Sequence, residues 1–104
     1  MKKAISRVYG NQITILPANI RKEILVEDFD VLKWIYGSNT NYIKVEFLFD
    51  KDLDIPYYAN QIFFEDHLMI LYRKISDRNM HFPAEISKVI NFNPRDNYLE
   101  WCVN

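Results

Sequence analysis

The chain has 104 residues, 49% hydrophobic, 15% aromatic and 26% charged, which is a globular composition and excludes a disordered chain. Thirteen basic residues against 14 acidic ones leave a formal charge of −1, and the two glycines, Gly10 and Gly37, exclude a glycine-rich phosphate loop. One cysteine, Cys102, excludes an internal disulfide and a zinc site built on cysteines, and no apolar run approaches the roughly 18 residues of a membrane span.

In chain order, Ala4 to Tyr9 and Gln12 to Leu16 read as two strands around a break at Gly10-Asn11, because both runs are rich in β-branched and aromatic residues. Pro17 opens a short amphipathic helix over 17–25, in which Ile20, Ile24 and Leu25 recur at helical spacing. Phe29 to Tyr36 returns to strand and 37–41 supplies a turn. Tyr42 to Phe47 alternates with period two, which makes a hairpin with one wet face. The acidic stretch from Asp50 to Pro56 is a connector. Gln61 to Phe64 and Leu68 to Lys74 are strands around a turn at 65–67. Asn79 to Phe82 is a strand, Pro83 starts a helix carrying Ile86, Val89 and Ile90, and Asn97 to Val103 is the last strand.

Charge is uneven along this order. Positions 1–49 hold seven basic against five acidic side chains, positions 50–69 one against five, and positions 70–104 five against four. The opening stretch from Met1 to Lys22 contains Lys2, Lys3, Arg7, Arg21 and Lys22 and no acid. Sliding the chain on itself until Arg7 meets Arg73 also pairs, without a gap, Pro17 with Pro83, Ala18 with Ala84, Ile20 with Ile86, Lys22 with Lys88, Ile24 with Ile90 and Asp30 with Asp96. These seven identities fall within positions 4 to 37, where ordinary composition gives roughly two or three. A further shift by a single position lays Leu32-Lys33-Trp34 on Leu99-Glu100-Trp101. The pattern reads as a degenerate tandem duplication: a first unit over 1–49, an acidic connector over 50–66 with room for an extra strand, and a second unit over 67–104.

The stretch Asn11-Gln12-Ile13-Thr14-Ile15-Leu16-Pro17-Ala18-Asn19-Ile20-Arg21-Lys22-Glu23-Ile24, followed by Asp30-Val31-Leu32-Lys33-Trp34, resembles the AbrB/MazE/SpoVT swapped-hairpin family. The second unit is similar through Arg78 to Ile86 and Pro94 to Trp101. The second unit ends before the return strand of its hairpin, and Gln61 to Phe64 is the candidate to fill that place. The resemblance implies a mainly β fold with two short helices, a swapped-hairpin barrel made by two tandem repeats as a pseudo-dimer or by a homodimer. It also implies a cytoplasmic transcriptional regulator that occupies an operator in double-stranded DNA and is not an enzyme, with no cofactor and no membrane partner. Carried onto this chain, the family's DNA-binding surface comprises Lys2, Lys3, Arg7, Asn11, Gln12, Thr14, Arg21 and Lys22 in the first unit. In the second it comprises Arg73, Lys74, Arg78, Asn79 and Lys88, diluted by Asp77 and Glu85. Cations displace counterions from phosphates, and arginine, asparagine and glutamine can read base edges.

Bland readings compete at each feature. Lys and Arg on a strand edge also serve to block edge-to-edge pairing. Trp34 and Trp101 sit among apolar neighbours at strand spacing and are expected in the core. His67, beside Asp66, and His81 lack a third ligand or a nucleophile at useful spacing, so no catalytic or metal site is expected. Asp50, Asp52 and Asp54 lack the glycine and terminal glutamate of a calcium loop. The rival function is an antitoxin-like or inhibitory adaptor that keeps the fold and binds a protein partner, consistent with a pI of about 6.1 and the acidic, aromatic run from Asp50 to Phe64.

Overall fold

The computed structural model describes residues 2–8, 14, 18–22, 29, 31–49, 61–75 and 82–103. Its elements are β1 (Lys2–Ser6), α1 (Ala18–Arg21), β2 (Val31–Gly37), β3 (Tyr42–Leu48), β4 (Phe63–Glu65), β5 (Leu68–Lys74), α2 (Ala84–Val89) and β6 (Tyr98–Val103). The fold is mainly β with two short helices, and the described strands join into one open sheet in the order β1-β6-β3-β2-β5-β4. All pairs are antiparallel except β3–β6, which is parallel.

Local chemistry accounts for the elements. β3 alternates strictly between buried and half-buried positions, with Ile43, Val45 and Phe47 inside, as the period-two pattern requires. The β2–β3 turn closes through Thr40, whose N–H and hydroxyl both donate to the Gly37 carbonyl, at 3.1 and 2.9 Å. A Cβ at Gly37 would lie 3.3 Å from Leu68 Cδ2, so the glycine permits close approach of β5. Pro83 precedes α2 in extended conformation, as expected for a helix start, and Ile90 is already extended just past its end. Residues 79–81 of the expected strand before α2 lie outside the described residues, and Phe82 is buried but not in a strand.

One face of the sheet carries the core. Leu32, Trp34, Val45, Phe47, Met69, Leu71, Leu99, Trp101 and Val103 pack with Ile20 of α1, Ile86 of α2, Val8 and Phe82. Trp34 and Trp101 are almost fully buried and meet edge to face at 6.2 Å, so both tryptophans are core residues. Because helices this short are marginal alone, Ile20 and Ile86, each fully buried, anchor them to the sheet.

The topology corrects one expectation. The strand beside β6 is β3, which lies between β2 and β6, whereas β4 pairs with β5 at the far edge. Only one strand fits between β2 and β6, and β3 already bonds β2 along most of its length, so it serves both neighbours. No helix among the described residues is long and apolar enough to cross a membrane.

Candidate nucleic-acid interface

β1 has a wet face and a dry face. Ala4, Ser6 and Val8 turn inward, and the Trp101 indole N–H donates to Ser6 Oγ at 2.7 Å. Lys3, Ile5 and Arg7 alternate with them and are exposed, Ile5 to 62%. α1 packs on β1, where Asn19 Nδ2 donates to the Lys3 carbonyl at 3.5 Å, and Lys22 is exposed just past the helix.

Arg7 joins segments far apart in the sequence. Its Nη1 donates to the carbonyls of Arg95 at 2.8 Å and Pro94 at 3.4 Å, which brings the turn before β6 against the end of β1. That turn is tightly bonded. Asn93 Oδ1 accepts from the Arg95 N–H at 2.9 Å, and the Asn93 carbonyl accepts from the N–H groups of Asp96 and Asn97. Asn93 Nδ2 donates to the Asp96 carboxylate at 3.0 Å. Arg95 is exposed, and its guanidinium has no ion pair or hydrogen bond among the described residues. The first strand's cations therefore acquire a neighbour from the opposite end of the chain.

The remaining candidate positions are distributed differently. Arg73 and Lys74 lie on β5, separated from β1 by β6, β3 and β2. The Arg73 guanidinium is half-buried and ion-paired to Glu85 in the first turn of α2, and burial lowers its pKa. Lys74 is exposed at the end of β5, and Lys88 is exposed in the last turn of α2, where a cation suits the helix dipole. Thr14 is half-buried and bridges Val8. Asn11, Gln12, Arg78 and Asn79 lie outside the described residues. Lys2 and Arg21 are described in backbone only, at the start of β1 and the end of α1.

On the face opposite the core, charges alternate across neighbouring strands. Lys3 lies 3.8 Å from Glu100, and Lys44 lies 3.2 Å from Glu46, whose hydrogen bond is the main cause of a raised Lys44 pKa. Cys102 is buried beside them, its Sγ 3.6 Å from Glu100 Oε1, and burial followed by the glutamate's charge pushes its thiol up to about 11. The Lys3–Glu100 pair is exposed enough to contribute little to stability.

Sequence reasoning passed over Arg95 and Asn19. Arg95 stands next to Asp96, so the two cancel in a charge count, and only the fold reveals that Asp96 is held by Asn93 instead. Asn19 carries no charge, and its significance depends on which strand α1 packs against. Among the described residues, no group of three or more His, Cys, Asp or Glu side chains could hold a metal ion. His67 sits exposed in the β4–β5 turn, and His81 lies outside the described residues. The arrangement presents cations and amides to solvent. Comparison of the chain with known protein families, curated protein sequences and solved structures gives no match.

Proposed function

We propose that the protein binds double-stranded DNA through the β1–α1 surface and acts as a transcriptional regulator by occupying an operator. The observation that carries this reading is the edge strand β1, whose wet face exposes Lys3 and Arg7, with Arg7 held by the backbone carbonyls of the turn that carries exposed Arg95 rather than by a carboxylate. A guanidinium on neutral partners keeps its charge available to phosphate. The fold behind it is an internal pair of swapped-hairpin units, working as a pseudo-dimer or as a homodimer.

Strand register supports the internal pair. The offset that lays Arg7 on Arg73 carries β1 into β5, α1 into α2 and β2 onto β6 with a single position of overhang. Moving the first member of a β1–β6 pair forward by one position more than that offset, and the second back by the same amount, turns Lys2↔Val103 into Met69↔Tyr36 and Ser6↔Leu99 into Arg73↔Leu32, and it keeps Ala4, Leu32 and Trp34 on the same face as Leu71, Leu99 and Trp101. Both are observed β5–β2 pairs. The first strand of each unit, β1 or β5, pairs with the strand that follows the helix of the other, β6 or β2.

The test is fluorescence anisotropy with a labelled duplex from the protein's own promoter region. Binding should weaken steeply with salt, with a log–log slope of about −3 if three or four phosphates are contacted. Absence of binding at low salt overturns the reading. A second reading, a protein-binding adaptor, is favoured by the β4–β5 hairpin, where Phe64 is 66% exposed and Leu68 37%. A stoichiometric protein partner lost on Phe64→Ser, with no DNA binding by the wild type, would replace the first reading with the second.

A further inference from the structure

We infer that Arg95 is a phosphate contact of the same interface and that Arg7 is its positioning residue, so that the site is composite, assembled from β1 and the turn before β6. This rests on the DNA reading above. Arg7 has five N–H donors, of which those on Nη1 are engaged by the carbonyls of Pro94 and Arg95. The contact ties the end of β1 to the one turn in the described structure that carries an unpaired arginine. The Arg7 guanidinium rests on the backbone carbonyl of Arg95, so the two cations belong to one surface, where a phosphate bound by Arg95 would also be attracted by the Arg7 charge. Turn geometry favours the same outcome. Asn93 accepts from the Arg95 N–H and occupies the Asp96 carboxylate with its own amide, which keeps the adjacent acid off the Arg95 side chain. Asn97 extends the brace, with Nδ2 donating to the Asn41 carbonyl at 3.0 Å and Oδ1 accepting from the Asn93 N–H at 2.8 Å. A pre-shaped turn loses little conformational freedom on binding.

The experiment compares wild type, Arg95→Gln, Arg7→Lys and Arg7→Gln on the same labelled duplex at about 50 and about 200 mM salt. Arg95→Gln should weaken binding about five- to tenfold and reduce the salt slope by about 1, since the residue is exposed and its loss costs one phosphate contact. Arg7→Lys retains the cation but cannot span two carbonyls in the same way. It should accelerate hydrogen exchange of the Asp96 and Asn97 amides, and its affinity should fall between those of wild type and Arg7→Gln. Wild-type binding with unchanged affinity and slope in Arg95→Gln overturns the inference and leaves the DNA reading standing. Unchanged exchange in Arg7→Lys overturns the positioning role whatever the DNA result. A wild type that ignores duplex DNA overturns the functional reading itself.

Discussion

Arg7 and Arg73 are matched in the sequence repeat, each at or just beyond the end of a strand that pairs with a strand of the other unit, but Arg7 lies on the wet face of β1 while Arg73 pairs with core residue Leu32. One is exposed on backbone carbonyls and the other is half-buried on a carboxylate. The difference follows from the face each occupies and from what that face offers. Glu85, at the start of α2, captures Arg73, whereas its counterpart in the first unit is Asn19, whose amide goes to the Lys3 carbonyl. The tryptophans diverge in the same way. Trp101 has Ser6 as acceptor at 2.7 Å, while the buried Trp34 Nε1 has no partner among the described residues. A shared strand register does not transmit side-chain chemistry, and the β1–β6 half keeps the features a ligand could use.

The largest test of this contrast is Trp101→Phe against Trp34→Phe. Both remove the same ring volume from the core, but only the first also leaves the Ser6 hydroxyl without its donor. Trp101→Phe should cost about 3 kcal/mol and Trp34→Phe about 1 to 2, because the second removes a buried N–H that already lacked a partner. Urea unfolding of the two variants checks it, and equal losses would mean that the indole contact to Ser6 contributes nothing.

Alkaline stability should also be set by the β1–β6 half. Cys102 is nearly fully buried and its thiol is raised from 9.0 to about 11, so an unfolded chain releases that proton first. The thiol's contribution is complete below about pH 9 and is lost as pH rises towards 11, on the order of 2 kcal/mol in all. Cys102→Ala removes this pH dependence. Comparing urea midpoints of wild type and variant at pH 8 and pH 10.5 measures it, and parallel curves would remove the thiol from the account.

These contrasts were only partly legible in the sequence. Local signals survived the test: the alternation of Tyr42 to Phe47, the burial of both tryptophans, the helix start at Pro83 and the turn at 65–67 are each decided by near neighbours in the chain. The parallel β3–β6 pairing left no comparable trace, because residues such as Val45 and Trp101 carry no mark of which distant strand they will face. The proposed interface was half visible. Lys3 and Arg7 were found in an acid-free run, but Arg95 was hidden by Asp96, and the loss of Arg73 to Glu85 needed the geometry of α2 against β5.

Exchanging the two deciding residues sharpens the comparison at smaller cost. Asn19→Glu brings a carboxylate to the β1 surface and should weaken DNA binding about tenfold, with stability nearly unchanged at this exposed position. Glu85→Asn frees Arg73 and should strengthen binding about twofold, while costing about 1 kcal/mol of stability for the half-buried charge left without its partner. Anisotropy with the duplex and urea unfolding give both readings. Opposite signs in affinity support the account, and equal affinities would show that neither arginine's partner governs binding.

The smallest effect concerns how each half shields its first strand. β1 carries α1, with Asn19 on the Lys3 carbonyl, whereas β5 is covered by β4 through the Asp66-His67 turn. Both turn residues have positive φ, 51° and 68°, the pairing of a type I′ hairpin, and neither is glycine. Left-handed backbone strains an L side chain, and glycine relieves it while enlarging the entropy of the unfolded chain. His67→Gly should therefore stabilise by only about 0.5 kcal/mol, the remainder of a strain of about 1.5 kcal/mol over an entropy cost of about 1 kcal/mol. DNA affinity should not change, because the turn lies at the β4–β5 edge, the opposite end of the strand order from β1. A loss of stability would mean that the His67 side chain makes a contact worth more than the strain, and a change in affinity would move the interface to the wrong edge of the sheet.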